Sequence, residues 1–341
     1  MTEHAELRRQ NLETIARWRS ATYHGVGVAD AASAVFAPDA LVQLAFPFET
    51  VGDGDDLVGE VYGQLLAAMP DAERRDWIVM SGTDVYGHEW VGCGGHYTGT
   101  FTAPFLDIPP TNRLASFRYH EFFRMVDGRV VEVQGLWDLP ELMMQAGVWP
   151  MSPSLGRDWQ VPGPASNDGE RTALPSDPEH TAGSRDWVVG MLGDMGKHPT
   201  EPEEAMRLEH WWHPKFNWYG PAGIGSSRGA TGFRRHHQIP FLAAMPDRRG
   251  GYQGDSHFFG DEDYVGVTAW PGMSMTVSGA GWLGIPPTDQ AITMRSLDFW
   301  RLETDPATGA RSIRENWVLV DLLHVYDQLG VDVLARMREL F

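Results

Sequence analysis

Ile-Pro-Pro-Thr-Asn-Arg-Leu-Ala-Ser-Phe-Arg-Tyr-His-Glu-Phe-Phe-Arg, residues 108–124, returns later in the same chain as Ile-Pro-Pro-Thr-Asp-Gln-Ala-Ile-Thr-Met-Arg-Ser-Leu-Asp-Phe-Trp-Arg, residues 285–301. The Ile-Pro-Pro-Thr turn, the Arg (118 and 295) and the closing Phe-aromatic-Arg triplet keep one spacing in both. Downstream, Glu132, Asp138, Gln145 and Gly147 are matched by Glu315, Asp321, Gln328 and Gly330, with intervals of six and seven residues from Glu to Asp to Gln in each copy. Upstream, Leu66-Ala67-Ala68-Met69-Pro70-Asp71 is matched by Leu242-Ala243-Ala244-Met245-Pro246-Asp247. The repeat is therefore a whole domain, larger than a solenoid unit. The sequence divides into a first domain at 1–150, a linker at 151–184 rich in Pro, Gly, Ser and Asp, and a second domain at 185–341. Trp149 and Trp159 suggest that parts of the linker lie against the domains.

Composition narrows the partners. The net charge of -19, from 27 Lys and Arg against 46 Asp and Glu, lacks the basic footprint that nucleic acid or an anionic membrane requires. A small, neutral organic molecule is the expected partner. Cys93 is the one cysteine, so neither an intrachain disulfide nor a cysteine zinc site can be built, and a reducing cytoplasmic setting is expected. The chain contains no apolar run long enough to span a bilayer, and its first residues lack the apolar core of an export signal.

Each half reads as helices followed by strands. Leu12, Ile15 and Ala16 share a helical face, a short helix is expected before Pro38, and Val61, Leu65, Ala68 and Met69 form an apolar stripe on a helix ending at Pro70. Residues 85–101 and 114–138 are strand-like, and Asp127-Gly128 marks a hairpin turn. A closing helix follows at 139–144 and at 322–340. This order gives α+β architecture with an antiparallel sheet.

A two-residue turn at Asp127-Gly128 pairs Phe117 with Asp138, Tyr119 with Leu136, Glu121 with Gln134 and Phe123 with Glu132, all on one face. Tyr119, Glu121, Gln134 and Asp138 among apolar rings suit a largely apolar pocket with a few convergent polar groups. Burial raises a carboxyl pKa toward neutrality, which fits Asp138 and Asp321 for general acid or base work; capping the helices that follow is the structural alternative. Glu132 and Glu315 are explained by ion pairs to Arg124 and Arg301. His96, between glycines on a strand, is the preferred histidine, and the second copy carries Trp270 in that region. Substrate-facing candidates are Phe117, Tyr119, Glu121 and Gln134 in the first copy, with Asp298, Trp317 and His237 in the second; His237 aligns with Val61 on the buried helical stripe. Gly279 to Gly284 matches G-x-G-x-x-G in form but runs into Pro286-Pro287 and cannot open a helix, so no dinucleotide site is assigned. No metal and no cofactor are assigned.

The run Gly95-His96-Tyr97-Thr98-Gly99, Ile108-Pro109-Pro110-Thr111, Phe123-Arg124 and Glu132 to Asp138 resembles the SnoaL-like polyketide cyclases of the NTF2-like superfamily, and Gly281 to Thr288, Phe299-Trp300-Arg301 and Glu315 through Gln328-Leu329-Gly330 resembles that family's closing signature. The resemblance implies two cone-shaped α+β barrels in tandem, each a curved sheet wrapped on helices around a ligand cavity, arranged as an intrachain pseudo-dimer that could also form a homodimer. It further implies cofactor-free, aldol-type ring closure on a hydrophobic polyketide-like carbonyl compound, with Asp138 or Asp321 as acid and base and His96 nearby. Lyase, dehydratase, isomerase or hydrolase chemistry on the same fold, or binding without catalysis, are the alternatives.

Overall fold

The first unit opens with helix α1 (Glu3–His24), which buries Leu12, Ile15 and Trp18 along one face. Next come α2 (Val28–Val35), β1 (Phe36–Leu44), β2 (Thr50–Gly52) and a helical run made of α3 (Gly54–Asp56), a π-helical stretch (Leu57–Tyr62) and α4 (Gly63–Ala68). Asp53 starts that run by accepting hydrogen bonds from the Asp55 and Asp56 N–H groups. Val61, Leu65, Ala68 and Met69 are all buried, as their spacing requires. The remaining elements are β3 (Glu73–Thr83), β4 (Glu89–Thr100), β5 (Leu114–Val126), β6 (Arg129–Trp137) and α5 (Leu139–Gln145). The chain is described by a computed structural model over residues 3–250 and 256–341.

The second unit repeats this order: α6 (Pro178–Met195), α7 (Leu208–Trp211), β7 (Trp212–Tyr219), β8 (Ser227–Arg228), α8 (Gly229–Phe233), a π-helical stretch (Arg234–Gln238), α9 (Ile239–Ala244), β9 (Ser256–Asp261), β10 (Tyr264–Thr276), β11 (Ala291–Thr304), β12 (Arg311–Val320) and α10 (Leu322–Gln328). The sheets have matching topologies, β2-β1-β6-β5-β4-β3 and β8-β7-β12-β11-β10-β9. Both depart from the antiparallel expectation at one place, since β1 runs parallel to β6 and β7 parallel to β12.

Several boundaries differ from the sequence reading. Residues 151–161 group with the second unit, where Gly156 and Arg157 bond to Ile224 and Ser226, and 162–175 group with the first, where Gly169 accepts from the Val79 N–H at 2.9 Å. Asp177 caps α6, so that helix begins ahead of residue 185. The last predicted helix is two: Gly330, at φ 74°, ends α10 in a left-handed cap, and α11 (Val333–Arg338) follows within a segment that groups with the first unit, where Arg338 pairs with Asp107 at 2.8 Å.

Register is where the fold sets the chemistry. Asp127 and Gly128 both take positive φ, 48° and 73°, and close a two-residue turn. Just beyond it, Met125 pairs with Val130 but Arg124 pairs with Glu132, leaving Val131 as a bulge. That extra residue moves the ladder by one. Tyr119 stands opposite Trp137 instead of Leu136, Glu121 opposite Gly135 instead of Gln134, and Phe123 opposite Val133 instead of Glu132. A slip of one residue exchanges the faces of a strand. Gln134, with Phe122, is thus on the face away from Tyr119 and Glu121. The second unit has its bulge at the matching place, between Arg301 and Leu302.

Candidate functional site

In the first unit the inner face of the sheet is filled. Tyr62, Tyr97, Phe105, Phe117, Tyr119 and Trp137 form one aromatic cluster, with Tyr97 to Tyr119 at 4.7 Å, Tyr97 to Trp137 at 5.0 Å and Phe117 to Trp137 at 5.5 Å between ring centroids. An ion network is set into it. Arg74, fully buried, binds Asp76 at 3.0 Å and Glu121 at 2.6 Å, and Arg19 holds the other Asp76 oxygen at 2.8 Å. Tyr119 donates to Asp76 at 2.5 Å, while Tyr97 and Trp137 donate to Glu121. Burial works against the Asp76 carboxylate, yet the Arg74 and Arg19 charges and the Tyr119 hydroxyl outweigh it and hold its pKa below the usual carboxylate value. Tyr119, Glu121 and Phe117 do come together, as the sequence reading required, but in a packed interior.

The second unit places smaller residues at the same register positions. Phe117 corresponds to Met294, Tyr119 to Ser296, Glu121 to Asp298 and Trp137 to Val320: Ser296 pairs with Ala269 and Val320 as Tyr119 pairs with Gly95 and Trp137. Interiors pack densely, so loss of such volume leaves space unless something else moves in. Here it leaves a cavity of about 420 Å³ between the inner face of the sheet and the helices, lined by Met294, Ser296, Asp298 and Val320 among others. The size and the mainly apolar wall are those of a small-molecule site.

Its polar groups are few. Asp298 projects from β11 and accepts from the Ser296 hydroxyl at 2.8 Å. His237, from the π-helical stretch, lies flat on Trp218 at 4.1 Å and is flanked by Phe233 and Phe241, each at 5.4 Å. Burial, with a smaller push from the Arg248 charge, lowers the His237 pKa to about 3, and its buried Nδ1 has no hydrogen-bond partner. The imidazole is therefore neutral near pH 7, one nitrogen donating and the other accepting. Asn316 uses its amide to donate to the Phe299 carbonyl at 3.0 Å, and the indole N–H groups of Trp212 and Trp300 are buried without partners.

The three expected catalytic residues lie outside this cavity. Asp138 is buried beside Arg118, at 3.7 Å, and makes no side-chain cap to α5. Asp321 pairs with Arg295 at 3.1 Å and caps α10 through the His324 N–H, and it does not line the cavity. His96 stands opposite Arg118 on the outer face of the first sheet, where its Nδ1 accepts from the Trp77 indole at 3.1 Å. Burial and the Arg118 charge bring its pKa down to about 3. Trp317, paired with Phe299, also faces outward, with its ring 5.5 Å from that of Tyr219. The predicted ion pairs of Glu132 and Glu315 are present, each at 2.7 Å from Arg124 and Arg301.

Residues 16–146 match the SnoaL-like polyketide cyclase family. The first unit is a SnoaL-like domain. The second repeats its strand order and its register bulge. Among solved structures, the chain is similar to a candidate SnoaL-like polyketide cyclase of Jannaschia sp. CCS1, with 21% identity, a TM-score of 0.37, and coverage of 42% of this chain and 96% of that one. It is also similar to IdmH of Streptomyces antibioticus, a candidate polyketide cyclase, with 24% identity, a TM-score of 0.35, and coverage of 40% and 99%. An NTF2-like protein of Burkholderia thailandensis E264 matches at 21% identity and TM-score 0.32, covering 40% and 96%. No similar sequence is found among curated proteins. Of the two copies, it is the second that holds the cavity, whereas the sequence points to Asp138 and His96 in the first and Asp321 in the second as acid and base. The missed signal lay in the alignment of the copies, where Phe117/Met294, Tyr119/Ser296 and Trp137/Val320 all shrink in one direction.

Proposed function

We propose that the second unit is the working one, and that it is an acid/base enzyme of the SnoaL-like type acting on a hydrophobic, polyketide-like carbonyl compound. The observation that supports this is that Asp298 and a neutral His237 both line one apolar cavity. Asp298 removes a proton from the carbon next to a substrate carbonyl. The enolate oxygen that forms needs a hydrogen-bond donor, and a neutral imidazole N–H supplies one without first giving up a proton. In aldol closure the enolate carbon then attacks a second carbonyl of the same molecule, and the proton held by Asp298 passes to the new alkoxide. The ring forms without net gain or loss of atoms. Asp138, Asp321 and His96 serve as structural residues in this reading.

The test is turnover of a panel of aromatic polyketide-type keto esters, epoxides and hydroxy ketones by wild type, Asp298→Asn and Asp138→Asn, with thermal melts as the folding control. Loss of turnover by at least about a hundredfold in Asp298→Asn alone supports the assignment. Loss in Asp138→Asn with Asp298→Asn unaffected returns the chemistry to the first unit. Binding of panel members without turnover makes the cavity a carrier site.

A further inference from the structure

Arg248 is the one cationic side chain among the described residues that line the cavity. It stands on the loop after α9, which is built alike in both copies: Asp71 accepts from the Thr100 N–H at 2.6 Å, and Asp247 accepts from the Thr276 N–H at 2.8 Å. The residue after that Asp is a buried Ala72 in the filled copy and Arg248 in the copy with the cavity. The cation thus accompanies the space.

The Arg248 guanidinium donates from Nη1 to the His198 carbonyl and from Nη2 to the Met195 carbonyl, each at 2.8 Å. Both acceptors are neutral, and among the described residues the remaining N–H groups of the planar fork meet no acceptor side chain. Among the described residues no carboxylate pairs with it. Its pKa is lowered by burial. A half-buried cation that meets only carbonyl oxygens is costly to desolvate, and an anion completing the fork offsets that cost.

We propose that Arg248 is the anion anchor of the cavity and that its ligand is an apolar carboxylic acid, bound as the carboxylate. This rests on the assignment of the second-unit cavity as the ligand site. Arg248 is a binding residue here, and the alternative is that it only ties the rim loop to the end of α6.

The experiment is calorimetric titration of the full chain with 2-naphthoate and with its neutral counterpart 2-naphthamide, for wild type, Arg248→Met and Arg248→Lys. The expected result is at least about tenfold tighter binding of the acid than the amide by wild type. Arg248→Met is expected to abolish that preference while leaving amide affinity within about twofold, and Arg248→Lys to keep part of it. Equal affinity of wild type for acid and amide overturns the proposal and leaves the cavity assignment standing. So does equal weakening of both ligands by Arg248→Met, which marks a rim clamp. Binding of neither probe overturns this proposal and the cavity assignment together. The wild-type comparison needs no variant, so a poorly folded substitution cannot obscure the answer.

Discussion

Tyr119 and Ser296 occupy the same node of two matching sheets, each flanked by a small residue on one neighbouring strand, Gly95 or Ala269, and by the end of the next, Trp137 or Val320. The first carries a ring that reaches Asp76, and the second a hydroxymethyl that reaches Asp298. That exchange, with its neighbours, separates a solid interior from a hollow one.

Ser296→Tyr is accordingly expected to close the cavity from within. A ring forced into a well-packed core costs about 1–3 kcal/mol, but here there is space to receive it. Titration with 2-naphthoate should show affinity reduced more than about tenfold, with a melting temperature near that of wild type. Retained binding together with a fall of several degrees would place the site elsewhere.

In the first unit, Arg74→Met leaves the Asp76 and Glu121 carboxylates buried without their shared cation. Breaking such a network by removing one partner costs about 3–5 kcal/mol, which for a unit of this size lowers the melting temperature by about ten degrees. Calorimetry should show that loss in wild-type buffer at neutral pH. Retained melting would mean that Arg19 alone balances Asp76.

His237 gives a pH signature. Its folded pKa of about 3 lies below the ordinary histidine value near 6.5, so the fold favours the neutral ring. The stability this gives is fully present above about pH 6.5 and is lost progressively as pH falls from there toward the folded value, by at most about 1.4 kcal/mol per pH unit. His96 adds a second contribution of the same sign in the first unit. Replacing His237 with Val, the residue of the other copy at position 61, should flatten the fall in melting temperature between pH 6.5 and 5 relative to wild type. An unchanged slope would show that the imidazole is hydrated and titrates normally.

The duplication, the hairpin at Asp127-Gly128 and the helical stripe at Val61 to Met69 were legible because each depends on local spacing or on turn chemistry. Two kinds of information were not. β1 and β3 are short on periodic signal: Pro38 and Asp39 interrupt the first, and the second mixes Arg74, Asp76 and Trp77 with its apolar residues. The bulge at Val131 has no marker such as glycine, and it alone moved Gln134 to the other face. Asp138 and Asp321 looked catalytic because the sequence shows a carboxylate at a strand end but not the Arg118 or Arg295 that meets it. His237 was placed through its alignment with Val61 in the repeat, a clue that survives an error of register.

The contact between Val79 and the 162–175 segment has a further consequence. β3 is the outer strand of its sheet, and an outer strand offers a row of unpaired N–H and C=O groups to any chain that passes. Gly169 takes the Val79 N–H, Glu170 bridges to the same residue, and the Arg8 guanidinium fastens the segment through the Arg171 carbonyl at 2.7 Å. What connects the copies in sequence also shields the first from self-association. A fragment ending at Pro150 would keep every strand of its sheet and still be expected to precipitate, because its open edge would then be available to its own kind.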